Sequence, residues 1–493
     1  MALVQGREIT APVARRTHTA VVGSGAGGAV VAHTLARAGV ETVVLEEGGY
    51  FSARDFSQRE DAMLPRLYRD GGQQVSEDGT INVLQGSCFG GSTVINMGDC
   101  VPSPPEVLAH WQRHFGLTEI TAEALAPSLE RVRSMLQVNR IRPEQVNRNN
   151  RALLEGARAL GLSAGVFEHN RVGCTGSGYC LLGCAYDAKK GAHLNYLPAA
   201  LAAGADVYTD CRVERIEALP RGLRVHAGRV RVDAERVVLA AGAVHTPQIL
   251  RRSGLDRGLP QLGRNLSLQP QMVVVALLAD EVRLWRGIPQ AAYCDAFDDD
   301  TPEHGLGGFR LEAVQGGVAN VAGLIPGSGH DHKRRMAELP HMAAALLLVP
   351  DRPSGRITYE PRPRIRYRMR EEWKERLRRG LRHAAELYFA AGAKEVLFPS
   401  EIFPPLRSPD ELPRVASFPI REGVTHFISA HVQGTCRMSP DAGRGVVDQD
   451  HRLHTRPDVY VVDASVMPTT ASTHTMIPIM ALADRAAHRM LEA

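Results

Sequence analysis

The chain has 493 residues, 44% hydrophobic, 23% charged and 5% aromatic, with a formal net charge of +4. A single core seldom grows that large, so two domains sharing a cleft are expected. The charge is weak for the length, no long run of like charges occurs, and few aromatics are available for base stacking, which together exclude a nucleic-acid binder. No apolar run reaches membrane-span length, and Met1–Thr17 lacks the continuous apolar stretch of a secretion signal; a cytoplasmic protein with no membrane span is expected.

In chain order, the first clear unit is His18–Tyr50. Thr19–Val22 is short, apolar and β-branched, as a buried parallel strand should be. A glycine cluster follows, then a helix over Ala29–Ala38 stopped by Gly39, then a second strand, Thr42–Leu45. Gln85–Asn96 is rich in Gly, Ser and Thr and reads as a loop opening a helix. Ala122–Leu136 and Asn149–Leu160 are predicted helices, and Cys174–Cys184 an irregular Gly/Cys loop. Val207–Glu217, Leu223–Ala227 and Val230–Val232 read as strands of a meander, and Val237–Ala240 as a separate buried strand. Met272–Leu278 begins a second sheet. Glu371–Ala391 is a long amphipathic helix. Val459–Val462 is a last strand, followed by a helix over Met476–Leu491.

Gly23-Ser24-Gly25-Ala26-Gly27-Gly28 fits G-x-G-x-x-G between a strand and a helix. The first glycine permits the tight turn, the second lets the backbone approach a pyrophosphate, and the third lets helix and strand pack closely. An acid about 20 residues on should bind a ribose hydroxyl. Glu46 ends the second strand and fills that role, with Glu47 next to it. This motif alone suits NAD or FAD equally.

Further segments narrow the choice: Gly90-Gly91-Ser92-Thr93-Val94-Ile95-Asn96, Val237–Ala243 with Thr246-Pro247, Gly263-Arg264-Asn265-Leu266, and His431 to Ala483. Together with His18–Gly49 they resemble the glucose–methanol–choline (GMC) family of FAD oxidoreductases over nearly the whole chain. The resemblance implies an α/β fold with a discontinuous, Rossmann-like FAD-binding domain (1–270 and 425–493, with substrate-domain pieces at about 101–190). A substrate-binding domain with an antiparallel sheet would occupy mainly 271–424. It also implies that Gly23, Gly25 and Gly28 hold the FAD pyrophosphate and Glu46 the adenosine ribose. Gly90, Gly91, Ser92 and Asn96 would pass along the pyrophosphate and flavin, Val213 would meet the adenine, and Asp463 and Ala464 would approach the ribityl chain and flavin.

The same resemblance makes His431 the base that faces the flavin and takes an alcohol proton. It makes His474, in Ser472-Thr473-His474-Thr475-Met476, the partner that fixes the alcohol oxygen. Oxidation of CH–OH to a carbonyl needs such a pair, because hydride loss leaves a hydroxyl proton to be removed and an imidazole suits that task. The remaining histidines among the 19, such as His426, His451 and His454, read as structural or exposed. The chain departs from the family after Leu266, where an Asp-His pair is common and Ser267-Leu268-Gln269-Pro270 stands here, and again at Thr475 and Pro478. These departures fall on the substrate side.

Cys174, Cys180 and Cys184 sit within one loop and resemble the spacing of family members with a three-iron iron–sulfur cluster; the other reading is a group of reduced thiols. A cluster would imply an electron-transfer protein as partner; otherwise oxygen or another acceptor reoxidises the flavin. Three rival functions share the fold: a lyase or cyclase with structural FAD, a light-driven decarboxylase, and a flavin-binding protein without catalysis.

Overall fold

The computed structural model describes residues 2–298, 308–359 and 362–492. Its first sheet has nine strands. Leu3–Gln5, Asp206–Thr209, Thr42–Leu45, Val13–Val22 and Val230–Leu239 lie side by side in that order and run parallel. Leu223–Ala227 and Arg215–Ala218 continue the sheet antiparallel beside the first half of Val230–Leu239, while Arg456–Val461 pairs parallel with its second half and antiparallel with Arg452–Leu453. The α/β class expected from the sequence is therefore observed, with parallel strands and helices in one layer and a separate antiparallel sheet.

Several boundaries differ from expectation. Val230–Val232 and Val237–Leu239 belong to one ten-residue strand, because pairing with Val13–Val22 keeps one register from Val230↔Val13 to Leu239↔Val22. For the same reason the strand foreseen at Thr19–Val22 starts at Val13, although Arg15 and Arg16 are exposed. Val207–Glu217 splits into Asp206–Thr209 and Arg215–Ala218, divided by Asp210 at φ 53°. The loop at Gln85–Asn96 opens no helix either; it makes a single 3-10 turn, Gly91–Thr93.

Helix Ala26–Arg37 buries Val30, Val31 and Leu35 completely, each contributing about 1.5–3 kcal/mol of hydrophobic stabilisation. It packs on Met476–Glu492 and Tyr196–Ala202. The second sheet has eight strands: Ile81–Val83, Phe427–Ser429, Gln271–Leu277, Met342–Leu348, Arg310–Ala313, Ala292–Cys294 and Ala164–Val166 in order, with Glu395–Leu397 added to Gln271–Leu277. All its pairings are antiparallel except Phe427–Ser429 with Ile81–Val83. Helices Glu371–Ala390 and Arg148–Ala159 pack against this sheet. Alternation then divides the central strand: Met272, Val274 and Ala276 are wholly buried in the core, whereas Gln271, Val273 and Val275 line a cavity.

Candidate active site

The parallel strands end at a common edge, where a channel is lined by Gly23, Gly25, Glu46, Gly91, Ser92, Val213, Asp463 and Ala464. Gly23 has φ +98°, and a Cβ there would lie 2.4 Å from the Ala240 carbonyl oxygen, so only glycine fits the turn. Gly28 lies behind the channel, and a Cβ on it would come 2.0 Å from the Gly23 oxygen. At Gly25 the space is open, and no side chain caps the helix that begins at Ala26. Free backbone N–H groups at a helix N-terminus with an open approach are what a pyrophosphate requires.

Glu46 is buried beside this turn. One carboxylate oxygen accepts from Ser24 N at 2.9 Å and Ser24 Oγ at 2.6 Å, the other from Gly48 N at 2.9 Å. Burial pushes its carboxyl up in spite of these bonds. Ser24 Oγ in turn accepts from Gly90 N at 3.0 Å, so Glu46, the glycine turn and the Gly90 loop form one unit. Asp463 is equally enclosed: it accepts from Gly242 N at 2.9 Å, Thr246 Oγ1 at 2.5 Å and Ser465 N at 2.9 Å, locking the last strand to the helix at Gly242–Arg252. His245 Nε2, Gln248 Nε2 and Gln85 Oε1 are buried on residues lining the channel and have no protein partner. Orphaned polar atoms on a channel wall fit a polar ligand, and the residues here suit a dinucleotide such as FAD.

Ala26, Ser92, Ala430 and Thr475 also line a second cavity of about 430 Å³, so the two spaces are contiguous. Its walls are largely apolar, with Ile95, Val273, Val275, Leu284, Leu346 and Ile428 among them. Asn96, His431 and His474 line it as well. Asn96 donates to Met476 Sδ at 3.0 Å, and its Oδ1 is buried without a partner.

His431 follows strand Phe427–Ser429, and His474 precedes helix Met476–Glu492; the fold sets their rings 5.3 Å apart at 89°. Their surroundings differ. Burial and the neighbouring His474 push His431 down to about 3, so it is neutral at ordinary pH. Burial would lower His474 too, but the Glu312 and Asp99 carboxylates outweigh it and raise its pKa above the ordinary value. Glu312 is fully buried, with its oxygens 3.1 and 3.0 Å from His474 Nε2, and Asp99 Oδ2 is 3.9 Å from Nδ1. The pair thus combines a neutral imidazole with a ring biased toward the cation.

A chain of buried charges continues behind His474. Burial favours the neutral acid at Asp99, yet His169 and His474 hold its carboxyl below the usual range; His169 Nε2 lies 2.7 Å from Asp99 Oδ1. Arg171 Nε donates to His169 Nδ1 at 2.8 Å. Lys189, completely buried and pushed down by burial to about 8, donates to the carbonyls of Val94 (2.8 Å), Asn96 (2.5 Å) and Cys180 (3.0 Å). That clamp fastens the Gly90–Asn96 loop to the cysteine loop.

The cysteine loop does not form the metal centre considered for it. Among the described residues no group of three or more His, Cys, Asp and Glu side chains could hold a metal ion. Cys174 packs beside the Ile141, Val146 and Ile288 cluster, whereas Cys180 Sγ accepts from Arg171 Nη1 at 3.0 Å. Cys180 and Cys184 are buried, and all eight cysteines are unpaired. With no such group formed and Cys180 engaged by Arg171, the donor set does not fit an iron–sulfur cluster.

Glu312, Asp99 and Lys189 escaped the sequence reading, and Gln269 entered it only as a departure from the family pattern. None of them belongs to a motif whose spacing carries a chemical meaning. Only the approach of distant segments reveals them.

Comparison with known proteins agrees with this arrangement. Residues 64–271 and 351–483 match the N- and C-terminal GMC oxidoreductase profiles, and 21–75 match an NAD(P)-binding Rossmann-like domain. An uncharacterized GMC-type oxidoreductase of Mycobacterium tuberculosis is 37% identical over 96% of this chain and 75% of its own length. A long-chain-alcohol oxidase of Arabidopsis thaliana is 30% identical over 95% of this chain and 66% of its own. The fold is shared with pyridoxine 4-oxidase, at a TM-score of 0.71 and 18% identity, covering 97% of this chain and 99% of that one. The chain belongs to the GMC oxidoreductase family, a family of FAD-dependent flavoproteins.

Proposed function

We propose that this protein binds FAD along the channel at Gly23–Gly28 and oxidises the CH–OH group of an alcohol with an apolar body. The observation that carries the reading is the placement of His431 and His474 together on the wall of an apolar cavity contiguous with the nucleotide channel. Gly23, Gly25, Gly28, Gly90, Gly91 and Ser92 would border the pyrophosphate and Glu46 the ribose. Val213, Asp463, Ala464 and Asn96 would hold the adenine, ribityl and flavin parts. Bound FAD supplies the hydride acceptor. His431, neutral, takes the hydroxyl proton as the carbon hydrogen leaves with its electron pair. His474, charged beside Glu312, favours the oxygen while it carries negative character. The apolar walls exclude water and accept a hydrocarbon body, which suits a long-chain or polycyclic alcohol better than a sugar. The likeness to a long-chain-alcohol oxidase supports the same class. The same likeness to a named oxidase supports oxygen as the acceptor we propose.

Anaerobic mixing of the holoprotein with a series of alcohols tests this. Bleaching of the flavin absorbance should strengthen from short and polar to long and apolar alcohols, and admitting oxygen should restore it with formation of peroxide. Absence of bleaching with every alcohol would overturn the reading.

A further inference from the structure

We propose that Gln269 is a positioning residue that keeps the proton of neutral His431 on Nδ1 and so leaves Nε2 free to accept the alcohol proton. The proposal rests on His431 being the base in the reaction above. Segments 267–271 and 429–433 run side by side, with Ser267 and Gln433 exchanging backbone hydrogen bonds at 3.0 Å in both directions. That register sets Gln269 and Gln271 beside the imidazole. Gln269 Oε1 lies 2.9 Å from His431 Nδ1, and Gln271 Nε2 lies 3.3 Å from the same atom.

The tautomer follows from the acceptor. An Nδ1–H donates to the Gln269 oxygen, whereas a lone pair on Nδ1 would face an oxygen lone pair at that distance. The Gln271 amide could serve only the opposite tautomer, and from farther away. Their supports also differ. Gln271 lines the apolar cavity, where a substrate can engage it; Gln269 does not. Gln269 is fully buried and holds a left-handed φ of 45°, a conformation that persists only where the surroundings fix it. Asp351 provides that fixation: its carboxylate, wholly buried, accepts from Leu268 N at 2.8 Å, Gln269 N at 2.9 Å and Tyr367 Oη at 2.9 Å. Ser429 Oγ donates to the Leu268 carbonyl from the strand leading to His431. A strained glutamine, clamped on its backbone and aimed at one ring nitrogen, is a device for setting that nitrogen's proton.

The test is nitrogen NMR of the holoprotein labelled with 15N-histidine, the His431 signal being assigned by its loss in His431→Ala. Wild type should show a protonated Nδ1 and a lone pair on Nε2. Gln269→Leu should lose that pattern and lower kcat/KM by about 10–100-fold while flavin absorbance is retained. Gln271→Leu should keep the pattern. An unchanged tautomer in Gln269→Leu, or its loss in Gln271→Leu instead, would overturn the proposal. Should Gln269→Leu fail to fold, Gln269→Glu decides: it keeps the acceptor and adds a charge, so the acid limb of kcat/KM must move to higher pH, and an unmoved limb overturns the assignment. The NMR result is independent of turnover. A correct tautomer in a protein that oxidises no alcohol would sink the proposed function alone, whereas alcohol oxidation with an unaffected tautomer would sink this inference alone.

Discussion

The nucleotide channel and the apolar cavity share Ser92, Ala430 and Thr475 in their walls, yet they present different chemistry to a ligand. In the channel, contacts come largely from the backbone: the glycine turn, the uncapped helix at Ala26, and carboxylates of Glu46 and Asp463 already tied to N–H groups of the chain. In the cavity, polar groups are side chains whose protonation is set from behind the wall: Glu312 and Asp99 on His474, Gln269 on His431. A backbone site holds its ligand in the same way at any moderate pH. A side-chain site of this kind is tunable, and its output depends on proton occupancy. Damage to the first should therefore appear as lost flavin, and damage to the second as altered rate and pH profile with flavin retained.

The largest effect is expected for Gly28→Val, because the new Cβ falls 2.0 Å from the Gly23 carbonyl oxygen and neither backbone can retreat. The purified protein should lose most of its absorbance near 450 nm relative to 280 nm; full flavin content would break the assignment of the channel. Next comes His431→Ala, expected to lower kcat by about 10²–10⁴-fold while leaving the flavin bound, which separates the two regions directly. A fall in flavin content of the same size would erase the distinction.

Glu312→Gln should act more gently. The carboxylate raises the pKa of His474, so the charged ring persists to higher pH in the wild type and is lost earlier in the variant. The alkaline limb of kcat/KM should shift down by about one pH unit, equivalent to about 1.4 kcal/mol, with little loss at mildly acidic pH. A limb that stays in place would show that His474 does not act as a cation.

The least specific effect spreads over both regions. Burial pushes His193, His245 and His431 down to about 3 and His451 to about 4. Between their ordinary value of 6.5 and these values the unfolded chain binds protons that the folded chain refuses. The stabilisation is thus full above about 6.5 and lost progressively toward pH 3–4. Asp351, pushed up to about 7, works in the opposite direction between its ordinary 3.8 and that value and offsets part of the loss. The Tm should fall by on the order of 10 °C between about pH 7 and pH 5. A level Tm would mean that these histidines are not held neutral.

Most strands and helices were legible because their signals are local. Thr42–Leu45 has the predicted bounds, and Ala122–Met135 and Glu371–Ala390 end one residue before the predicted helices. The errors in extent came where pairing overrides composition. The exposed Arg15 and Arg16 are drawn into a strand by Val230–Leu239, which neither segment announces alone.

The sequence by itself determined the glycine turn with its acid, carried by contiguous residues whose spacing has a local physical meaning, and its resemblance to known sequences supplied the family and the two histidines worth testing. Tertiary structure decided what those histidines are. A buried Glu312, drawn from a strand about 160 residues before His474, biases one ring toward the cation. Gln269, from a similar distance before His431, faces the other ring's Nδ1. Tertiary structure also left the cysteine loop without a metal-holding group among the described residues, undoing a cluster that spacing alone had allowed. Proton affinity and metal geometry depend on desolvation and on charges within a few ångströms, and those neighbours come from segments far apart in the chain.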